Sequence, residues 1–296
     1  MQSSKTDMEY RKLGSTGLTV SAVGFGPQMF MFGAQVPSEI EELTFQCLKR
    51  AMELGVNYID TAEFYGAGLL EKYIGNALKK IGTDRENFVI STKIFFGPPG
   101  GVNSYGTSRK RIIGGLNASL KRLQLDYVDV VFASRYDYQT PLEEVCRAMD
   151  HVIRSEKALY WGTSEWSAQQ ITAAIELCEK LNLYKPVTEQ SCYNMLHRQR
   201  FEGDYSDLFD KYKYGATIWS PLAAGLLTGK YLDDETPRRL QGPPQVKELY
   251  HWNEFFGPNT IGKTRDMFKD FEEIAKSLGG TVTQLALAWV LKNNDV

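Results

Sequence analysis

Phe88-Val89-Ile90-Ser91-Thr92-Lys93 and, forty residues on, Val128-Asp129-Val130-Val131-Phe132 are short runs, mostly apolar, with polar residues close behind them. Apolar side chains at consecutive positions suit a strand covered on both faces, which is the condition of a parallel sheet. Runs of the same kind occur at Val20–Gly26, Tyr58–Asp60, Ala158–Ser164, Pro186–Gln190 and Ala216–Ser220. Their starts lie 28 to 40 residues apart, close to the roughly thirty residues of a βαβ unit.

Helical patterns fill the intervals. Ile40–Leu54 places Leu43, Cys47, Ala51 and Leu54 three or four residues apart, with Gly55 as the stop. Leu69–Lys80, Ser108–Arg122, Leu142–Arg154 and Ser167–Leu181 repeat the spacing, with Ser167 and Thr140 as candidate N-caps and Pro141 just inside the latter. From Asp233 to Gly262 four prolines interrupt the rhythm and predict a long loop. Two further helices, Thr264–Leu278 and Thr283–Asn293, are expected on either side of Gly279-Gly280. Seven strand–helix units without a linker predict an α/β fold of the TIM type, a (β/α)8 barrel, as one domain over residues 10–296 after a polar tail at 1–9. Tyr10–Leu18, with Gly14 and Gly17, reads as a hairpin across the barrel bottom. A doubly wound dinucleotide fold would need a third glycine in Gly24-Phe25-Gly26-Pro27-Gln28-Met29, where none stands.

Composition narrows the function classes. The chain has 296 residues, 43% hydrophobic and 24% charged, with a net charge of −2, which argues against a nucleic-acid partner. No apolar run approaches a membrane span, and the polar first ten residues lack the core of a secretory signal. Cys47, Cys146, Cys178 and Cys192 lie far apart, with no metal-site spacing. A reducing, cytoplasmic setting is the expectation.

In a barrel the chemistry gathers where the strands end. Here those ends offer Asp60 through Tyr65, then Lys93, Ser134-Arg135, Thr163-Ser164, Glu189-Gln190 and Trp219-Ser220. A tyrosine titrates near pH 10 and relays protons poorly at neutrality. A neighbouring ammonium favours its phenolate, and an aspartate holds that ammonium in place, so Asp60, Lys93 and Tyr65 form a candidate acid for carbonyl reduction. Spacing alone equally allows an Asp60–Lys93 ion pair beside an unrelated tyrosine.

The stretch Gly55-Val56-Asn57-Tyr58-Ile59-Asp60-Thr61-Ala62-Glu63-Phe64-Tyr65-Gly66 resembles the signature of the aldo-keto reductase superfamily, as do Ile90-Ser91-Thr92-Lys93 and Trp219-Ser220-Pro221-Leu222-Ala223. Leu123–Ala133, Tyr160-Trp161-Gly162-Thr163-Ser164 and Gly229-Lys230-Tyr231 are similar to the branch that contains the β-subunits of voltage-gated potassium channels. The resemblance implies NADPH-dependent reduction of aldehydes or ketones, with Tyr65 as the acid tuned by Asp60 and Lys93. It implies that Ser164 and Gln190 hold the nicotinamide amide and that Trp219 lies against its ring. Ser220, Pro221, Leu222 and Ala223 would then wrap the pyrophosphate, while Lys230 and Arg238 or Arg239 face phosphates. It also implies an alternative role as a redox-sensing subunit, homotetrameric and docked on a channel's cytoplasmic domain.

Two positions depart from the pattern. Ser134 stands where most of the superfamily carries histidine and the channel branch asparagine. A hydroxyl donates one hydrogen bond but cannot titrate near neutrality, so slow turnover is expected. None of His151, His197 and His251 replaces it by position. Glu165 stands where the channel subunits place arginine, and a carboxylate there would favour the oxidised cofactor. Phe64, Phe95, Phe96 and Tyr136 suggest an apolar carbonyl substrate. Since only seven strands are counted before Val296, an eighth strand and a closing helix would be expected beyond it.

Overall fold

The computed structural model describes residues 7–27, 39–97, 101–232 and 259–296. An antiparallel hairpin, β1 (Tyr10–Lys12) and β2 (Thr19–Ser21), comes first, with Arg11 opposite Val20. Then strands and helices alternate: α1 (Glu39–Glu53), β3 (Tyr58–Asp60), α2 (Leu69–Ile81), β4 (Val89–Ile94), α3 (Arg109–Leu123), β5 (Val128–Ala133) and α4 (Leu142–Arg154). They continue with β6 (Ala158–Ser164), α5 (Ala168–Lys180), β7 (Thr188–Cys192), a short α6 (Ser206–Tyr212) and β8 (Gly215–Trp219). β3 to β8 make one six-stranded sheet in chain order, with parallel registers from β3 through β7.

The expected first strand is corrected. Val20–Gly26 does not run as one strand: Thr19–Ser21 turns back onto β1, and only Phe25 docks against β3. Phe25 donates to the Tyr58 carbonyl and accepts from Asp60 N–H, both at 2.8 Å. The hairpin therefore takes the residues that composition alone assigns to the sheet. Thr140 is likewise not a helix cap. Its hydroxyl donates to Asp137 at 2.7 Å, and the cap position is Pro141. Ser108 and Ser167 do cap α3 and α5, the latter with a reciprocal bond from Gln170.

Packing divides the chain into two compact units, Met1–Ser191 with Asp207–Thr217, and Cys192–Ser206 with Ile218–Val296. In the first, Leu13 of the hairpin packs on Val130 and Phe132, and Val20 on Tyr58 and Val89. The alternate residues of β3 to β6 thus share one face, with the hairpin at the end where the strands begin. Gly162 makes room on that face, because a Cβ there would lie 2.5 Å from the Thr188 carbonyl and 2.8 Å from the Phe132 ring. The opposite face is equally dry but polar in places: Thr92 and Arg122 both donate to the buried Glu71 at 2.6 Å.

In the second unit, α7 (Ile261–Ser277) and α8 (Val282–Leu291) flank Gly279, whose φ of +73° suits glycine. Phe268, Ala275, Val282 and Ala286 bury against Leu227. α7 begins earlier than expected, so Ile261 and Gly262 belong to helix rather than loop. The rest of the expected loop, 233–258, lies outside the described residues, as do Arg238, Arg239 and His251. No single described helix is long and apolar enough to cross a membrane.

Candidate active site

Asp60 ends β3, and Lys93 sits on β4 with its side chain on the same face, two residues beyond Ser91. The Lys93 ammonium donates to Asp60 Oδ2 at 2.5 Å, to the Thr61 carbonyl at 2.8 Å and to Tyr65 Oη at 3.2 Å. Tyr65 reaches it from the tight turn Tyr65–Gly68, in which Gly66 and Ala67 both adopt positive φ. The ion-pair-only alternative is therefore not what the chain adopts: the phenol shares the ammonium.

The support beneath the trio is a line of donors. Tyr58 donates to Ser91 Oγ at 3.1 Å and Ser91 to Asp60 Oδ1 at 2.8 Å. Burial, then the charge of Asp60, pushes the Tyr58 hydroxyl far above its ordinary range, which keeps it protonated as a donor. Lys93 is 2% exposed. Burial lowers the pKa of its ammonium, Asp60 opposes that loss, and Arg135 adds to it. An ammonium destabilised by burial but held charged by one carboxylate is a strong local field at the phenol.

Ser134 lies just past β5, 1% exposed, with its N–H on the Ile94 carbonyl at 3.1 Å. Its hydroxyl has no hydrogen-bond partner among the described residues. Leaving such a group unpaired costs about 1–3 kcal/mol, so it marks a place where a ligand acceptor would be received. Arg135 follows it, donating to the Ser134 carbonyl at 2.6 Å with its guanidinium 5.7 Å from the Phe96 ring.

Ser164 is buried at the end of β6. Gln190 donates to Asp60 Oδ1 at 2.9 Å and to Thr217 at 3.2 Å, so its amide N–H serves the trio and its carbonyl oxygen remains for an amide donor. Glu165, at φ +62°, accepts from Ser191 Oγ at 3.1 Å. Phe64, Phe95 and Phe96 join Tyr105 in an edge-to-face cluster, with Phe64 4.7 Å from the Tyr65 ring. Tyr136 instead packs on Trp166 and Tyr138. His151 is exposed on α4, and His197 is half-buried in the second unit.

The remaining expected residues belong to the second unit. After Trp219 the chain turns at Ser220, Ala223, Ala224 and Gly225, all with positive φ. Such conformations cost of order 1–3 kcal/mol each in a residue with a side chain and concentrate at functional sites. Ser220 Oγ accepts from Ala224 N–H at 2.9 Å, its carbonyl accepts from Asn194 at 3.1 Å, and Tyr231 donates to the Ala224 carbonyl at 3.2 Å. Ala223 and Gly225 also spend their N–H groups inside the turn. Lys230 lies over it: a Cβ on Gly225 would meet the Lys230 side chain at 2.7 Å. The turn thus offers an anion the ammonium and the Ser220 hydroxyl rather than free main-chain donors.

Three contributors had no role assigned from residue type: Ser91, the Thr61 carbonyl and Arg135, the last standing only among the residues at the strand ends. Ser91 carried a signal, since it stands two residues before Lys93 and so shares its face.

The aldo/keto reductase family profile matches residues 23–296. A protein of Schizosaccharomyces pombe described as a putative voltage-gated potassium channel subunit beta is 46% identical over 297 residues, spanning 97% of this chain and 82% of that protein. With the donors gathered at the strand ends, these likenesses make the chain a member of the aldo/keto reductase family of oxidoreductases, built on the (β/α)8 barrel, in its potassium-channel-β-subunit-like branch.

Proposed function

We propose that this chain reduces aldehydes or ketones with NADPH, and slowly. The observation that carries the reading is the Lys93 ammonium standing 2.5 Å from Asp60 and 3.2 Å from the Tyr65 hydroxyl. A bound nicotinamide dinucleotide supplies the hydride. Tyr65 delivers its phenolic proton to the carbonyl oxygen, and Lys93 stabilises the phenolate left behind. Asp60 keeps Lys93 charged against burial, and Ser91 and Gln190 hold Asp60. Ser134 donates its unpartnered hydroxyl to the same oxygen, but it offers no second proton near neutrality.

The donors suit a nicotinamide dinucleotide. Ser164 and the Gln190 carbonyl oxygen match a carboxamide, and Trp219 offers a ring for stacking. The Ser220 hydroxyl and the Lys230 ammonium, over the turn that runs through Pro221, Leu222 and Ala223, are the donors this reading assigns to a pyrophosphate. Lys230 and Arg238 or Arg239 would favour the extra phosphate of NADPH. Single-turnover oxidation of NADPH by an aromatic aldehyde tests the reading: steady loss of nicotinamide absorbance well below ten turnovers per second is expected. Tens per second would end the claim of slowness, and no oxidation would end the claim of reduction. Tighter binding of NADH than NADPH would reverse the cofactor choice.

A second reading draws on the 46% identity to a protein named as a channel subunit. In it the chain is a homotetramer docked on a channel's cytoplasmic domain, reporting cofactor redox state. Capture by that domain together with a fourfold mass in light scattering is the expected result; a monomer that ignores the domain removes it.

A further inference from the structure

We propose that Arg135 selects carbonyl compounds that carry a carboxylate, an inference that rests on the reductase reading above. The buried cations nearby have their own counter-charges: Lys93 pairs with Asp60, and Arg111 with Glu63. Arg135 makes no ion pair among the described residues, and its one hydrogen bond there goes to the Ser134 carbonyl at 2.6 Å. That bond and the Phe96 ring at 5.7 Å hold the guanidinium at the end of β5.

Its position relative to the chemistry follows from the aromatic side chains. Phe96 stands edge-on to Phe64 at 5.3 Å, and Phe64 edge-on to Tyr65 at 4.7 Å. The guanidinium and the phenol therefore flank one aromatic pair, which can take the carbon frame of a substrate. The charge of Arg135 already reaches Lys93, where it opposes the ammonium. Asp60 pairs with Lys93, so a further anion beside the half-buried Arg135 would be favourable. A guanidinium presents two parallel donors that match a carboxylate. The unpartnered Ser134 hydroxyl, on the adjacent residue, marks where the carbonyl end would be received.

4-Formylbenzoate and its neutral isostere 4-formylbenzamide separate the charge from the shape. Arg135→Gln should lower the ratio of their kcat/KM values at least about tenfold, the size of one charge-assisted hydrogen bond. The loss should fall mainly on KM, with Arg135→Lys recovering part of it. Calorimetric binding of 4-formylbenzoate should weaken by a similar factor. If both aldehydes are reduced and the ratio does not move, the selectivity proposal is overturned and the reductase reading stands. If neither is reduced but the benzoate still binds Arg135→Gln about tenfold more weakly, the reductase reading fails and the anion site stands. If neither is reduced and binding is equal, both fall.

Discussion

Two largely buried ion pairs stand near opposite ends of the sheet. Near the strand starts Arg85 meets Asp129 at 2.6 Å, and near the strand ends Lys93 meets Asp60 at 2.5 Å. The first is enclosed by its own neighbours, with only Arg85 Nε left without a partner among the described residues. Asp129 also accepts from Ile90 N–H at 2.7 Å, while Arg85 donates to the Phe88 and Tyr127 carbonyls and lies over both of their rings. The second is open. Its ammonium is shared with a phenol, and near the end of the next strand stands a buried hydroxyl without a partner among the described residues. Equal charges at similar distances thus do different work: Lys93 shares its ammonium with a phenol hydroxyl, whereas Arg85 turns its remaining bonds to main-chain carbonyls and leaves only its own Nε unpaired among the described residues.

The largest expected effect breaks the enclosed pair. Asp129→Ala leaves the half-buried Arg85 without its carboxylate and the buried Ile90 N–H without its acceptor, and should cost about 2–3 kcal/mol of stability. Urea unfolding checks this, while turnover per folded molecule at low temperature should be unchanged. A reductase rate that falls with stability intact would erase the contrast between the two ends.

Asp137 sharpens the comparison as a carboxylate used for shape beside the site. It accepts from Thr107 N–H, Gln139 N–H and the Thr140 hydroxyl at 2.7 to 2.9 Å. Burial opposes its charge, but those donors outweigh burial and hold the carboxyl below the usual carboxylate range. A depressed pKa means the stabilisation is present above the ordinary value near 4 and lost as pH falls through the folded value. Asp137→Ala should therefore cost about 1–2 kcal/mol at pH 7. The two proteins should converge as the pH is lowered below 4, which unfolding midpoints across pH would show. A constant difference across pH would mean that the charge is irrelevant.

The smallest effect has opposite signs for stability and rate. Ser134→Ala removes an unpaired buried hydroxyl, so stability should hold or rise by about 1 kcal/mol. Turnover should fall about fivefold, as expected for one lost hydrogen bond. A drop in stability without a drop in rate would assign Ser134 to packing.

Much of this was legible in residue order. Leu142–Arg154, Tyr58–Asp60 and Ala158–Ser164 form over the residues their periodicity indicates, because one face or both must be buried. Thr19–Ser21 was not, since an antiparallel partner nine residues back competes with the sheet for the same apolar residues. Thr140 has the right residue type for a cap, but the helix begins at Leu142, so Pro141 takes the cap position and the Thr140 hydroxyl donates to Asp137. The Asp60–Tyr65–Lys93 trio was readable from residue type at strand ends. Arg135 was readable as a residue at a strand end but not in its role, because that depends on the Phe96 ring, which belongs to the preceding strand's end.

The most direct test of the open pair is a single-turnover measurement on Tyr65→Phe at saturating NADPH and aromatic aldehyde, with thermal unfolding recorded on the same samples. The substitution removes the hydroxyl that carries the proton and keeps the ring, so the rate should fall by about 10²–10⁴ while the unfolding midpoint stays within a few degrees. A variant that keeps the wild-type rate would contradict the account, leaving Lys93 and Asp60 as a second structural pair like Arg85 and Asp129.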